Sequence, residues 1–448
     1  MPIQMKQNYF SNTVLIGSIF VCGFLLIYTF SRDSLVLYQI FFVVLLVALV
    51  ISLKTPPDFK INVSLALISI GFTLVAVEVF LKVIENTDDM FEAHVAAAAR
   101  EETQFDFRTP LQVVEDLRKE GVYAYPSVNI KGLEISGETV NPLAGVANKT
   151  TVFCNESGDY SIYESDEHGF RNPKGIWGKG TIDVISVGDS FTHGACVPPG
   201  KTSTDLVREV FSNTLNLGIS SSGPLDELAR IKEFAVDLRP RIVLWFYYEG
   251  NDLDNLITKG IGTPKPDPLV SYLQGGYRQD LVAKQQLIDA ALIKEINQQI
   301  VDGPETVLSD NSGNIIQRIA LPQLRARISS LTQSCNYYLQ DSTFDNLQLV
   351  LQQAKDHVDS WDGELYFVYL PMWARYGSPR SACVLGPDDE SHRKVVESAE
   401  TVGLTVLDMA EAFANHPDPE SLYPFRMHGH FTEEGQRLVA EAVLELID

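Results

Sequence analysis

Two widely separated segments carry side chains suited to moving a proton off a hydroxyl. Gly188-Asp189-Ser190-Phe191-Thr192-His193-Gly194 directly follows a β-branched run, Ile182 to Val187. A serine in a strand-to-helix turn presents its hydroxyl at the rim of a sheet. Free backbone N–H groups nearby can stabilise the negative oxygen that forms when an ester carbonyl is attacked. Taken alone, the same serine is equally well a helix cap. The second segment, Met427-His428-Gly429-His430-Phe431-Thr432-Glu433-Glu434-Gly435, precedes the last helical pattern of the chain. Histidine is the usual base for a serine near neutral pH, whereas most lone loop histidines are structural. His428 and His430 lack a third ligand at a suitable spacing, so no metal is expected, and no cofactor motif is present.

Two further apolar runs end in residues that can donate to an oxyanion. Thr214 to Ile219 contains Asn216-Leu217-Gly218 and is followed by Ser220-Ser221-Ser222-Gly223. A glycine there lets the backbone approach a ligand and donate its N–H. Ile242 to Tyr248 leads into Glu249-Gly250-Asn251-Asp252, where the asparagine amide offers another donor. Each segment in isolation is also ordinary turn chemistry.

The elements that must position these groups are legible as an alternation. Short buried runs at Ile182 to Val187, Thr214 to Ile219, Ile242 to Tyr248, Glu364 to Leu370 and Leu404 to Leu407 are predicted strands. Helical patterns at Ser203 to Phe211, Leu225 to Leu238, Phe344 to Trp361, Glu390 to Val402 and Thr432 to Leu446 lie between and after them. That order predicts an α/β domain with a parallel sheet covered on both faces. The stretch 253–343 is too long for a crossover and is read as an insertion, with an amphipathic helix near Leu281 to Ile300, of the kind that often forms a lid or substrate wall.

The four motif segments, in this order and at strand ends, resemble the SGNH hydrolase superfamily, the GDSL-like esterases, over roughly Thr181 to Asp448. The resemblance implies a flavodoxin-like three-layer sandwich and a catalytic set of Ser190, Gly218, Asn251 and His430. Ser190 would be the nucleophile and His430 its base. The Ser190 N–H, the Gly218 N–H and the Asn251 side chain would form the oxyanion hole. His168-Gly169-Phe170-Arg171-Asn172 is similar to a Gly-Phe-Arg segment that precedes the first block in membrane-linked members. One departure stands out. Such proteins commonly carry an aspartate two or three residues before the histidine, and here those positions are His428 and Met427. Losing the orienting carboxylate of a serine triad costs about 10⁴-fold in turnover. Three readings follow: another carboxylate serves (Asp408, Glu433 and Glu434 are candidates), a backbone carbonyl orients the ring, or the domain binds a glycan or partner without catalysis.

The N-terminus adds a membrane reading. Thr13 to Phe30, Leu35 to Leu53 and Ile61 to Ile84 are apolar runs of about the ~20 residues that cross a bilayer. They predict a membrane region of three transmembrane helices over 1–85, with membrane lipid as a partner. Lys6, Lys54 and Lys60 fall on one side, which places the catalytic domain extracytoplasmic. Residues 86–180 are read as a linker and the start of that domain, with Asn86 to Arg100 as a helical stem. A net charge of −23 repels phosphate backbones and excludes nucleic acid as the partner. Cys154, Cys196, Cys335 and Cys383 lie outside the apolar runs and allow three pairings. The function expected is hydrolysis of an ester, with an O-acylated cell-envelope polysaccharide as substrate. The alternatives are acyl transfer to a glycan and a non-catalytic assembly protein that retains the fold.

Overall fold

The computed structural model describes residues 3–30, 36–85, 90–259, 267–302, 341–377 and 389–448. Among these, the residues up to Glu85 form one compact unit and those from Met90 onward a second. The first unit consists of helices Ile3–Phe30, Val36–Ser52 and Pro57–Glu85. Leu15, Cys22 and Leu49 are buried among them, while Phe20, Phe24, Phe41, Phe72 and Phe80 point outward. The described residues of all three expected apolar runs are therefore helical, apart from Leu53 in the turn after the second helix. Among the described residues, however, only Pro57–Glu78 is both long and apolar enough to cross a membrane. The apolar stretches of the other two, Asn8–Phe24 and Ile40–Ser52, are shorter, and the side chains of 27–39 lie outside the described residues.

In the second unit, helix Met90–Arg100 buries His94, Ala97 and Ala98 completely or nearly so. The described part of the expected stem is thus a packed element; residues 86–89 lie outside the described set. Strands β1 (Ala124–Pro126), β2 (Leu133–Ile135), β3 (Glu138–Val140), β4 (Thr150–Val152) and β5 (Ile162–Glu164) follow. β1, β4 and β5 form a small mixed sheet, and β2 and β3 form a hairpin across Ser136 and Gly137, both at positive φ.

The large sheet comprises β6 (Val184–Val187), β7 (Thr214–Asn216), β8 (Ile242–Tyr248), β9 (Glu364–Leu370) and β10 (Thr405–Asp408), at the five places the apolar runs predicted. Every pairing in it is parallel, in the order β10-β9-β8-β6-β7. By order of appearance this is 2-1-3-4-5, the doubly wound arrangement in which strand order reverses between the first and third strands. β8 explains why the sequence shows unbroken apolar runs. Val243, Trp245 and Tyr247 face one core, with helices Pro224–Arg230, Asp341–Asp359 and Glu390–Val402. Ile242, Leu244, Phe246 and Tyr248 face the other, with helices Ser203–Val210 and Glu433–Ile447. All seven residues are buried because both faces are covered. Full burial of each large apolar side chain contributes about 1.5–3 kcal/mol, so this strand anchors the layers.

Within the insertion, helix Leu281–Asp302 is amphipathic as expected and buries Leu281, Ile288, Leu292 and Ile296 in the first core. Asp289 accepts the Ala147 N–H, and Gln285 bonds to the His168 ring. No described residue of the insertion beyond Asp252 lines the cavity at Ser190, so the described part is a buttress rather than a lid; 260–266 and 303–340 lie outside the described residues.

Candidate active site

The reversal of strand order leaves a crevice between the ends of β6 and β8, and Ser190 and Asn251 stand on its two sides. β6 passes through Gly188 into a four-residue helix, Ser190–His193. A Cβ at Gly188 would lie 2.1 Å from Thr192 Oγ1 and 3.0 Å from the Phe246 carbonyl, so only glycine permits this turn. Asp189 caps the helix, accepting the Phe191 N–H at 2.9 Å. Its other oxygen accepts from Asn251 Nδ2 at 3.0 Å, which ties the two strand ends together. Burial pushes the Asp189 carboxyl above the ordinary range.

His430 Nε2 lies 2.8 Å from Ser190 Oγ, across 240 residues of sequence. The ring is 22% exposed at the mouth of the crevice and packs against Phe191, which stacks on Tyr248. Its orientation comes from Glu156, which neither the motif spacing nor the resemblance singled out. One Glu156 oxygen lies 2.8 Å from His430 Nδ1, and the other accepts the His430 backbone N–H at 2.8 Å. The carboxylate can only accept, so the ring proton sits on Nδ1 and Nε2 is left to accept from the serine hydroxyl. Burial favours the neutral form of both groups, but their mutual attraction outweighs it: Glu156 is held below, and His430 above, its ordinary pKa.

The three acids considered from sequence have other partners. Asp408 bonds to His392 at 2.6 Å and caps the Ala410 N–H, Glu434 pairs with Arg437, and Glu433 lies 3.9 Å from Lys201. Glu156 comes instead from the turn between β4 and β5, before the α/β sandwich begins. The sequence signal there was slight: an acid two residues beyond a cysteine, inside an Asn155-Glu156-Ser157 glycan-acceptor pattern. Asn155 is buried, with its amide on the Gly158 and Asp106 backbones, and serves to fold the turn. Cys154 is bonded to Cys196, which decides one of the pairings left open; Cys335 and Cys383 lie outside the described residues.

Gly218 is set apart from the other three predicted residues. Its N–H donates to Asn216 Oδ1 at 2.8 Å, and it does not line the cavity that contains Ser190, Asn251 and His430. A Cβ on it would lie 2.5 Å from the His193 nitrogen and 2.7 Å from the Thr192 carbonyl carbon. Here glycine permits close packing behind the nucleophile's helix. That helix is pinned from two more directions. His193, kept neutral by burial, accepts the Ser220 N–H on Nδ1 at 3.2 Å and therefore donates from Nε2 to Tyr163 Oη at 2.7 Å. Arg171 of the Gly-Phe-Arg segment donates to the Gly194 carbonyl at 2.6 Å and the Val197 carbonyl at 2.8 Å. Asn172 bonds both the N–H and the carbonyl of Asn216. The segment is a brace between the nucleophile's turn and the end of β7.

The cavity measures about 240 Å³ and is walled by Phe191, Tyr248, Met372 and His428 around Ser190, Asn251 and His430. Asn251 has a second amide hydrogen, beyond the one given to Asp189, to offer into it. Glu156, Cys196 and His430 each bring one ligand-type atom within 4.8 Å of the others. The Cys196 sulfur is already in a disulfide and His430 is engaged by Ser190 and Glu156, so these residues do not fit a metal as they stand.

No family model matches the chain, and no curated protein does. Solved structures do. A lipolytic protein of the G-D-S-L family from Desulfitobacterium hafniense matches at 13% identity and a TM-score of 0.33, over 60% of this chain and 100% of its own. A lipase/acylhydrolase from Enterococcus faecalis matches at 15% identity and a TM-score of 0.32, over 59% of this chain and 95% of its own. An acetyl xylan esterase matches at 12% identity and a TM-score of 0.32, over 60% of this chain and 100% of its own.

Proposed function

We propose that this protein hydrolyses esters through a Ser190–His430–Glu156 triad. The observation that carries the reading is the unbroken chain of contacts from Ser190 Oγ to His430 Nε2 and from His430 Nδ1 to Glu156, 2.8 Å at each step. His430 takes the Ser190 proton as Oγ attacks the acyl carbon, and Glu156 stabilises the imidazolium that forms. The negative oxygen is met by the Ser190 N–H at the start of its helix and by the free hydrogen of the Asn251 amide. The Gly218 N–H joins them only by leaving Asn216; otherwise that residue acts through its packing. His430 then returns the proton to the leaving alkoxide, and water repeats the sequence on the acyl-enzyme.

The size of the cavity favours a short acyl group, and its mouth, flanked by the exposed His428, suits a polar alcohol such as a glycan hydroxyl. An O-acylated cell-envelope polysaccharide is the substrate class we favour. Two features support an extracytoplasmic domain on a membrane anchor: the Cys154–Cys196 disulfide, which belongs to an oxidising compartment, and the outward-facing apolar side chains of the N-terminal helices. The non-catalytic reading drew its support from a missing acid, and Glu156 removes that support. Purified protein should release p-nitrophenol from p-nitrophenyl acetate and be labelled at Ser190 by a fluorophosphonate, and Ser190→Ala should lose both. Equal turnover by the two proteins would sink the assignment. Acylated product in the presence of deacylated acceptor glycan would instead indicate transfer.

A further inference from the structure

The triad's acid stands on a separate piece of the fold from its base and nucleophile. Glu156 lies on the turn that joins β4 to β5 in the small sheet, whereas Ser190 and His430 lie at the rim of the large one. Folding of the α/β sandwich alone therefore does not deliver the acid. The turn is internally folded by Asn155 and by the bonds between Phe153, Cys154 and Ser161. Toward the nucleophile's segment it has the Ser161 hydroxyl on the Val197 carbonyl, the Phe153 ring against His193 with centroids 4.2 Å apart, and a single covalent link, Cys154 to Cys196. That link spans 42 residues of sequence and enters the turn two residues before Glu156. Its other end is six residues beyond Ser190, just past the nucleophile's helix, at a left-handed residue of φ +60°. The Cys196 sulfur lies within 4.8 Å of both a Glu156 oxygen and a His430 ring nitrogen. The crosslink is thus in the site, beside the contact it would protect.

A buried carboxylate is costly to desolvate, and a turn free to swing outward lets it regain water. A covalent tether this short shifts that balance by raising the local concentration of Glu156 at the histidine. Resting on the esterase reading above, we propose that the Cys154–Cys196 bridge is a positioning element of the active site. It holds Glu156 against His430 Nδ1, so that efficient turnover requires the pair to be oxidised. Reduction by a phosphine transfers two electrons to the bridge; with two protons from water it yields two thiols and the phosphine oxide. Ser190 and His430 remain in place, and the acid is released.

The test is a double-mutant cycle on the full-length protein in detergent, following p-nitrophenyl acetate hydrolysis across pH. Replacing both cysteines (Cys154→Ser with Cys196→Ser) should lower kcat/KM by ~10–100-fold, the cost of misplacing a catalytic group by about an ångström. The acid limb of the profile should move to lower pH, because His430 loses the group that holds it up. In a Glu156→Gln background the same replacement should cost less than about threefold, since the contact it protects is already gone. An equal cost in both backgrounds would mean a general stabilising bridge and overturn the proposal. Should the cysteine variant fail to fold, phosphine reduction of folded wild type and Glu156→Gln supplies the same comparison. The downfield proton resonance of His430 Nδ1–H reads the contact without any substrate. Its loss on reduction supports positioning even if no ester is turned over, which would defeat only the esterase reading. Its persistence on reduction refutes the tether, whatever the activity.

Discussion

Replacing Glu156 by glutamine tests the triad most sharply, because the substitution keeps shape and removes the charge and one acceptor. The Glu156 carboxylate faces two donors, the His430 backbone N–H and the Nδ1–H, each at 2.8 Å. A glutamine can satisfy one. If its oxygen turns to Nδ1, its NH₂ meets the backbone N–H, and two buried donors oppose each other at a cost of about 1–3 kcal/mol. If its oxygen turns to the backbone, the NH₂ donates to Nδ1. The ring proton must then move to Nε2, where it points at Ser190 and cannot accept the serine's proton. This second arrangement keeps every hydrogen bond and is the one we expect. Its cost is that of a wrong tautomer in a serine triad, about 10⁴-fold in kcat, or about 5 kcal/mol of transition-state stabilisation. The first arrangement, which keeps the productive tautomer, sets a smaller loss of about 10–100-fold. Steady-state hydrolysis of p-nitrophenyl acetate, with fluorophosphonate labelling rates measured in parallel, should therefore fall by ~10–10⁴-fold, toward the upper end for the expected arrangement, with the fold retained by circular dichroism. A folded Glu156→Gln protein within fivefold of wild type would refute the reasoning, and with it the role of Glu156.

The pH profile of wild-type kcat/KM should rise through the pKa of His430, since only the neutral ring can accept the serine's proton. That limb lies above the ordinary histidine value of 6.5 because Glu156 outweighs the effect of burial, and in Glu156→Gln it should shift downward. Asn251→Ala should lower kcat by ~10²–10³-fold with little change in KM, as for loss of an oxyanion donor; an unchanged kcat would remove Asn251 from the site. Gly218→Ala forces a Cβ against the His193 nitrogen and the Thr192 carbonyl carbon, both backbone atoms that cannot swing aside. It should cost about 1–3 kcal/mol of stability by denaturant unfolding and lower turnover by displacing the nucleophile's helix. Away from the site, burial lowers the His392 pKa, but its bonds to Asp389 and Asp408 outweigh this and raise it to about 9. A raised histidine stabilises most below its unfolded value of 6.5 and loses that contribution as pH rises to about 9. The gap in Tm between wild type and His392→Asn should therefore shrink over that window, and a constant gap would contradict it.

Local chemistry determined much of this protein without any coordinates. Two-sided burial writes itself as an unbroken apolar run in β8, and all five strands of the large sheet lie where apolar runs placed them, although the edge strand β10 is only partly buried. The turn at Gly188-Asp189-Ser190 was legible as a serine at the end of an apolar run, and the structure adds that Asp189 caps the helix it opens. The histidine was found through the resemblance of its segment, just before the last helix, to the corresponding family block. Other features followed no such rule. The partner of His430 could not be found by counting back along its own loop, because the space beside its ring is filled by a turn from β4–β5, 274 residues away. The N–H of Gly218 belongs to Asn216, a competition between acceptors that depends on ångströms and not on spacing. Arg171 looked like part of a motif without a task, and its task is to hold the carbonyls that follow the nucleophile's helix. Periodicity and turn chemistry act between residues close in the chain, so a single sequence exposes them. A carboxylate's choice of partner is made across the folded interior, after the layers have packed, and only the tertiary structure decides it.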